Sequence, residues 1–229
     1  MRAAANSQPF PVFSYPAAAP TTASSRWTLS TWAFVRRGTG PQLATGGTLG
    51  GSQIGARATY QVGERLALSA RLYAPLNQAN GAEAALGVEI EPIAAVPLRL
   101  LAERRQAVGT SGRSAFAILA HGGIAERPVL GPVRLDAYAQ AGVVGVLSRD
   151  GFVDGAVRLG IPLNDRATLG VGAWAAAQPG IARVDLGPHA SYRFPLVGGT
   201  ARISAEWRMR IAGDARPGSG PALTLATDF

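Results

Sequence analysis

From Trp27 to the C-terminus, apolar residues recur at every second position, in runs of about ten residues separated by Gly, Pro and polar clusters. In one run Ile54, Ala56, Ala58, Tyr60 and Val62 alternate with Gln53, Gly55, Arg57, Thr59 and Gln61. In another, Ile203, Ala205, Trp207 and Met209 alternate with Arg202, Ser204, Glu206, Arg208 and Arg210. Successive side chains of a strand point to opposite faces, so each run has an apolar wall and a polar wall. The pattern predicts twelve strands, near 26–36, 53–62, 65–74, 82–91, 97–107, 114–124, 132–143, 152–161, 167–177, 181–194, 201–211 and 220–229. Those at 26–36 and 114–124 are the least clearly marked, because both of their faces are fairly apolar.

The connections alternate in character. Gly63-Glu64, Pro92–Val96, Arg127–Gly131, Pro162–Arg166 and Pro195–Thr200 are tight; Gly38–Ser52, Pro75–Gly81, Val108–Arg113, Gly145–Gly151, Gln178–Gly180 and Gly213–Ser219 are looser and more polar. Short turns at one end and longer loops at the other describe a transmembrane β-barrel, with short turns in the periplasm. A soluble sandwich also alternates, but strands near ten residues suit a tilted bilayer crossing. No stretch approaches the run of roughly 18 apolar residues that a membrane helix needs. The expected fold is an all-β, antiparallel up-and-down transmembrane barrel of about twelve strands over residues 26–229. Residues 1–25, rich in Ala, Pro, Ser and Thr, read as a flexible periplasmic linker or tail. Asn6, Ser7, Gln8, Pro9 and Pro11 break any apolar core of a secretory signal there. That leaves a cytoplasmic protein or the C-terminal part of a longer exported one, and the strands favour the second.

Aromatic placement supports a bacterial outer-membrane location. Trp27, Tyr60, Tyr192, Phe194 and Phe229 fall on the apolar face beside the short turns, where a periplasmic aromatic girdle belongs; Trp207 is the best candidate for the opposite girdle. In the last strand Pro221, Leu223, Leu225, Thr227 and the terminal Phe229 share a face. This alternation ending on Phe looks like the recognition signal that outer-membrane barrels present to the barrel-assembly machinery.

The segments RWTLSTWAF at 26–34, GGTLGGSQIGAR at 46–57, DAYAQAGVVG at 136–145 and AGDARPGSGPA at 212–222 are together similar to the C-terminal barrel of NfrA-like bacteriophage adsorption proteins. The resemblance covers about residues 26–229. Related chains join such a barrel to periplasmic tetratricopeptide repeats, as exopolysaccharide-export proteins of the outer membrane also do. The resemblance implies a non-enzymatic surface receptor or export component, with phage or polysaccharide as partner. It carries over structural loops and strands, not catalytic residues.

The chain carries 22 basic and 14 acidic residues, a net charge of +8, and every basic residue is Arg. If the apolar face meets lipid, the lumen receives Arg57, Arg71, Glu83, Glu89, Arg99, Glu103, Arg105, Arg134, Asp136, Asp154, Arg158, Arg183, Asp185, Arg193, Arg202, Glu206, Arg208 and Arg210. Interior charges need partners or water, and acidic strands here lie beside basic ones. The expected result is an ion-paired plug; the alternative is a narrow channel favouring anions. Twelve strands lie between barrels filled by side chains and barrels wide enough for an aqueous channel.

Other chemistry is thinly represented. Cys is absent, which excludes disulfides and thiolate chemistry. His189, Ser191 and Asp185 share a predicted inward face, so a barrel esterase is a third reading. Residues two apart on a strand, however, stand roughly 6.5 Å apart, beyond hydrogen-bonding reach. His121 has no nameable partner, and no cluster at ligand spacing suggests a metal or cofactor. Gly46-Gly47 and Gly50-Gly51 are followed by neither Lys-Ser/Thr nor a helix, so they read as an external loop. The arginines are spread over nearly every strand and interleaved with acids, unlike a nucleic-acid-binding stripe. Arg36, Arg37, Arg113, Arg149 and Arg216, expected in loops, are candidates for lipopolysaccharide phosphate contacts, with solvated loop charge as the simpler alternative.

Overall fold

Period-two alternation leaves each strand with one wall to hide and one to expose, and the chain resolves this by closing its sheet on itself. The computed structural model describes residues 25–36, 51–76, 81–108, 112–147 and 149–229. Residues 1–24 of the expected linker, most of the loop at 38–52 with its Gly46-Gly47 pair, and Arg37 lie outside the described residues.

The strands are β1 (Trp27–Arg36), β2 (Gln53–Gly63), β3 (Leu66–Pro75), β4 (Glu83–Ile90), β5 (Leu98–Ala107), β6 (Ala115–Leu130), β7 (Val133–Val144), β8 (Asp150–Pro162), β9 (Ala167–Gln178), β10 (Ile181–Leu196), β11 (Gly199–Gly213) and β12 (Gly220–Asp228). Each pairs antiparallel with its sequence neighbours, and β1 pairs with β12, giving a closed twelve-stranded barrel. At that closing seam Leu29 and Phe229 exchange backbone hydrogen bonds of 3.1 and 2.9 Å, and the hydroxyls of Thr31 and Thr227 stand 2.8 Å apart. Closure removes the sheet edges that would otherwise leave unpaired backbone groups in hydrocarbon.

The strand set matches the twelve read from the pattern, with one substantial difference. Strand β6 continues to Leu130 rather than ending at 124, through register shifts between Ile124 and Arg127 and between Pro128 and Leu130. Pro128 removes one donor, and the shifts let the strand pass it; the turn is only Gly131-Pro132. Hairpin β10–β11 likewise runs to Leu196 and Gly199. Hydrogen bonding carries these strands past the point where apolar alternation stops.

Candidate functional site: the arginine-filled lumen

Strand parity sends every second residue inward. Arg57, Arg71, Glu83, Glu89, Glu103, Arg105, Arg158, Arg183, Asp185, Glu206 and Arg208 are all buried inside the wall. Their pairing follows a rule that no single strand displays: four carboxylates are each held by two arginines. Glu89 binds Arg57 and, at 2.8 Å, Arg99, and His121 Nε2 lies 3.2 Å from its second oxygen. Glu103 lies between Arg71 at 2.8 Å and Arg105 at 2.7 Å. Glu206 lies between Arg158 at 3.3 Å and Arg208 at 2.6 Å. Asp185 lies between Arg36 at 2.8 Å and Arg183 at 2.9 Å. A carboxylate offers two oxygens with several lone-pair directions, so it can accept from two guanidinium forks. Each bridge then carries one positive charge more than it neutralises.

Several of these contacts pass over intervening strands. Arg57 on β2 reaches Glu89 on β4, Arg71 on β3 reaches Glu103 on β5, and Arg158 on β8 reaches Glu206 on β11. The expectation from sequence was pairing between adjacent strands, which Arg99 and Glu89 satisfy. The inward curve of the wall brings non-adjacent strands within reach of a long guanidinium arm.

Aromatic rings take up part of the surplus charge. Arg208 lies 4.5 Å from the ring centroid of Trp174 and 4.9 Å from that of Phe34. Arg158 stands 5.7 Å from Trp174, and Arg105 stands 6.0 Å from Phe152, all within range of a cation–π attraction. Two glycines make room for the indoles. A Cβ on Gly55 would fall 2.2 Å from the Trp32 ring, and one on Gly172 would fall 2.5 Å from the Trp174 ring. Among the described residues, the space left beside Arg57, Arg71, Glu103, Arg105, Gln140 and Phe152 is about 10 Å³, room for one water molecule.

The remaining inward charges sit toward the two mouths. At the short-turn end Glu126 pairs with Arg193, and Arg202 lies 3.9 Å from Glu126 and 3.8 Å from Asp136. Arg134 is half-buried there, and the Arg99 side chain is 45% exposed. Deeper in, Tyr138 donates to Asp154 at 3.0 Å. At the loop end the Arg113 backbone donates to Glu83 at 2.8 Å. Arg210 donates to the Ala215 carbonyl at 2.9 Å, and Arg36 donates to the Gly218 carbonyl at 3.1 Å. These two bonds tie the β11–β12 loop to the mouth, with Ala215 fully buried.

Two arginines expected in loops are engaged in the structure. Arg36 ends β1 pointing inward, its side chain 0% exposed against Asp185. Arg113 pairs with Asp150 at 2.7 Å. Trp32, Phe34 and Trp174 were not anticipated as lumen residues, nor was His121 as a partner of Glu89. For β1 the signal was available: with Trp27 outward, parity alone turns Trp32, Phe34 and Arg36 inward. The His189, Ser191 and Asp185 set does not assemble. His189 lies opposite Glu206 in the β10–β11 register, Asp185 is committed to its two arginines, and no hydrogen bond joins the three. Among the described residues no group of three His, Cys, Asp or Glu side chains is placed to hold a metal.

The outer wall has the opposite character. Leu68, Leu72, Leu86, Val157, Val171 and Leu223 are all exposed, on the face that alternates with the buried charges. Trp27 and Tyr60 face each other across β1–β2 with ring centroids 4.7 Å apart. Tyr192 and Phe229 are each 43% exposed at the same end, and Phe194 is half-buried near them. Leu223 and Leu225 face outward along β12. A closed sheet that is charged within and apolar without is stable where its surroundings are hydrocarbon. The chain is therefore a transmembrane β-barrel of the bacterial outer-membrane kind.

No protein-family model matches the sequence, and a search of curated proteins found no relative. Among solved structures, the chain is similar to an outer membrane channel from Pseudomonas putida F1, with 9% identity, a TM-score of 0.48, and coverage of 93% of this chain and 98% of that one. It is also similar to Wzi, an outer membrane protein involved in group 1 capsule assembly in Escherichia coli and described as a carbohydrate-binding β-barrel. That match has 12% identity and a TM-score of 0.33, covering 80% of this chain and 52% of that one. At identities this low and superpositions this loose, neither likeness says what the present barrel binds or moves.

Proposed function

We propose that this chain is a plugged, non-enzymatic outer-membrane barrel that serves as a surface receptor in phage adsorption or as the membrane component of a polysaccharide-export system. The observation that carries the plug is the lumen itself. Four arginine–carboxylate–arginine bridges line it, and the space beside the Glu103 bridge is about 10 Å³. A hydrated ion needs a continuous water-filled path, and in this reading the bridged side chains interrupt it. Function then belongs to the loop end and the lipid-facing wall, with the lumen as the rigid post that holds them. The sequence resemblance of residues 26–229 to NfrA-like adsorption barrels supports the receptor reading. In the same reading Trp27, Tyr60, Tyr192, Phe194 and Phe229 form the periplasmic girdle, and Leu223, Leu225, Thr227 and Phe229 present the assembly signal. In this reading the lipopolysaccharide of the outer leaflet surrounds the loop end of the barrel.

Planar-bilayer recording tests the plug: the purified barrel inserts and passes no steady current. The second reading, an anion-favouring channel, has the surplus positive charge of each bridge in its favour. A steady anion-selective current would establish it at the expense of the plug. The receptor role is tested by incubating phage or acidic polysaccharide with detergent-solubilised barrel. Loss of phage titre or retention of polysaccharide is the expected result.

A further inference from the structure

Among the described residues, the outer wall has a single cationic interruption in its loop-end half. Among the described strand residues that face outward there, Arg104 on β5 is the only charged one; Ile54, Leu72, Leu86, Ile118, Val153, Met209 and their neighbours are apolar. Arg104 stands in register between Leu86 on β4 and Phe116 on β6, both of which face outward and are well exposed. Its guanidinium lies over the Phe116 ring, 4.9 Å from the centroid. Gln106, two residues on and also outward, donates to the Ser114 hydroxyl at 3.0 Å. No carboxylate of the described residues pairs with Arg104, whereas the buried lumen arginines that bridge carboxylates are each bound to one.

The position of Arg104 along β5 matters. It lies three residues before the strand's end at Ala107, which at the usual rise and tilt is roughly 8 Å below the strand top. From there a guanidinium on a three-carbon stem snorkels to headgroup level. A cation stranded on an apolar wall needs an anion there, and the anion of that stratum is phosphate. The guanidinium fork matches two phosphate oxygens, the ring beneath holds its plane, and Gln106 adds a neutral donor on the same side.

We propose that Arg104, backed by Phe116 and neighboured by Gln106, binds the phosphate of an outer-leaflet lipid headgroup. This rests on the membrane-spanning reading and goes beyond it, by naming the wall position at which the barrel grips a specific lipid. The site lies on the flank of the barrel below the β5–β6 loop, so an occupied site would anchor the loop end to the leaflet at one azimuth.

The test titrates the detergent-solubilised barrel with diphosphorylated lipid A, with the same lipid dephosphorylated, and with inorganic phosphate, reading bound lipid by native mass spectrometry. The wild type is expected to prefer the phosphorylated lipid by about fivefold, the size of one basic residue at a phosphate surface. R104Q loses that preference, R104K keeps most of it, and inorganic phosphate at equal concentration does not displace the lipid. Equal binding of both lipids by the wild type, or an unchanged preference in R104Q, overturns the proposal. Displacement by inorganic phosphate overturns the lipid as the source of the anion. If R104Q does not fold, the wild type's own discrimination and R104K decide the question. A heat-modifiable gel shift and insertion into vesicles are recorded for every sample. A chain that fails these refutes the barrel, and one that passes but ignores phosphate refutes only the Arg104 site.

Discussion

Glu206, Trp207 and Arg208 are consecutive in the chain, yet they are 4%, 52% and 6% exposed and face two different media. The inner wall is held by few, strong, directional contacts, four of its carboxylates each serving two guanidiniums. The outer wall is held by many weak ones, each leucine or valine meeting lipid tails. Damage should therefore spread on the inside and stay local on the outside. A lost inner carboxylate strands two cations, whereas a lost outer methyl group costs only its own contacts.

The largest expected effect comes from breaking a bridge. Glu206→Gln leaves Arg158 and Arg208 facing each other without their shared anion, and should cost about 3–5 kcal/mol, read from denaturant unfolding in vesicles. The triple variant Arg158→Met, Glu206→Met, Arg208→Met removes all the charge at once. It should be near neutral, and a large loss there would show that the bridge contributes more than its own neutralisation. On the outer wall, Val171→Arg puts a cation near mid-strand on β9, where Val171 is 58% exposed. It should cost about 2–4 kcal/mol in lipid. An effect near zero would mean that this face does not meet hydrocarbon. Smaller again, Gly172→Ala should cost about 1–3 kcal/mol, because the new methyl displaces the Trp174 ring; Trp fluorescence would report the ring's shift. The smallest effect is expected at the mouth. Arg99 shares Glu89 with Arg57, but its side chain is 45% exposed against 4%. Arg99→Gln should cost less than about 1 kcal/mol, and Arg57→Gln several times more in the same unfolding assay.

Much of this was legible before any coordinates. The strand set and the wall that each residue of β2, β3 and β11 faces follow from parity, since a one-residue slip would reverse every side chain at once. The short-turn end was legible from Gly and Pro. Strand β1 was legible only through Trp27, whose outward position fixes the parity, because Trp32 and Phe34 make its inner face as apolar as its outer one. Arg36 was misread as loop for the same reason: an arginine just before a Gly-rich stretch resembles the end of a strand's influence, while its partner Asp185 lies 149 residues away. Strand β6 was cut short at 124 because Glu126 and Pro128 interrupt alternation, and register shifts absorb such interruptions without ending the strand.

What the sequence determines by itself is the inversion: alternation over strands long enough to cross a bilayer, with arginines and carboxylates on the polar parity, specifies a closed sheet turned inside out. Parity is a local property of the backbone, so it can be read locally. Which arginine meets which carboxylate was decided only by the tertiary structure. Those pairs depend on the curvature that brings β2 near β4 and β8 near β11, and on the reach of a guanidinium across the enclosed space. The doubling of arginines on Glu89, Glu103, Asp185 and Glu206 exists only once the barrel has closed.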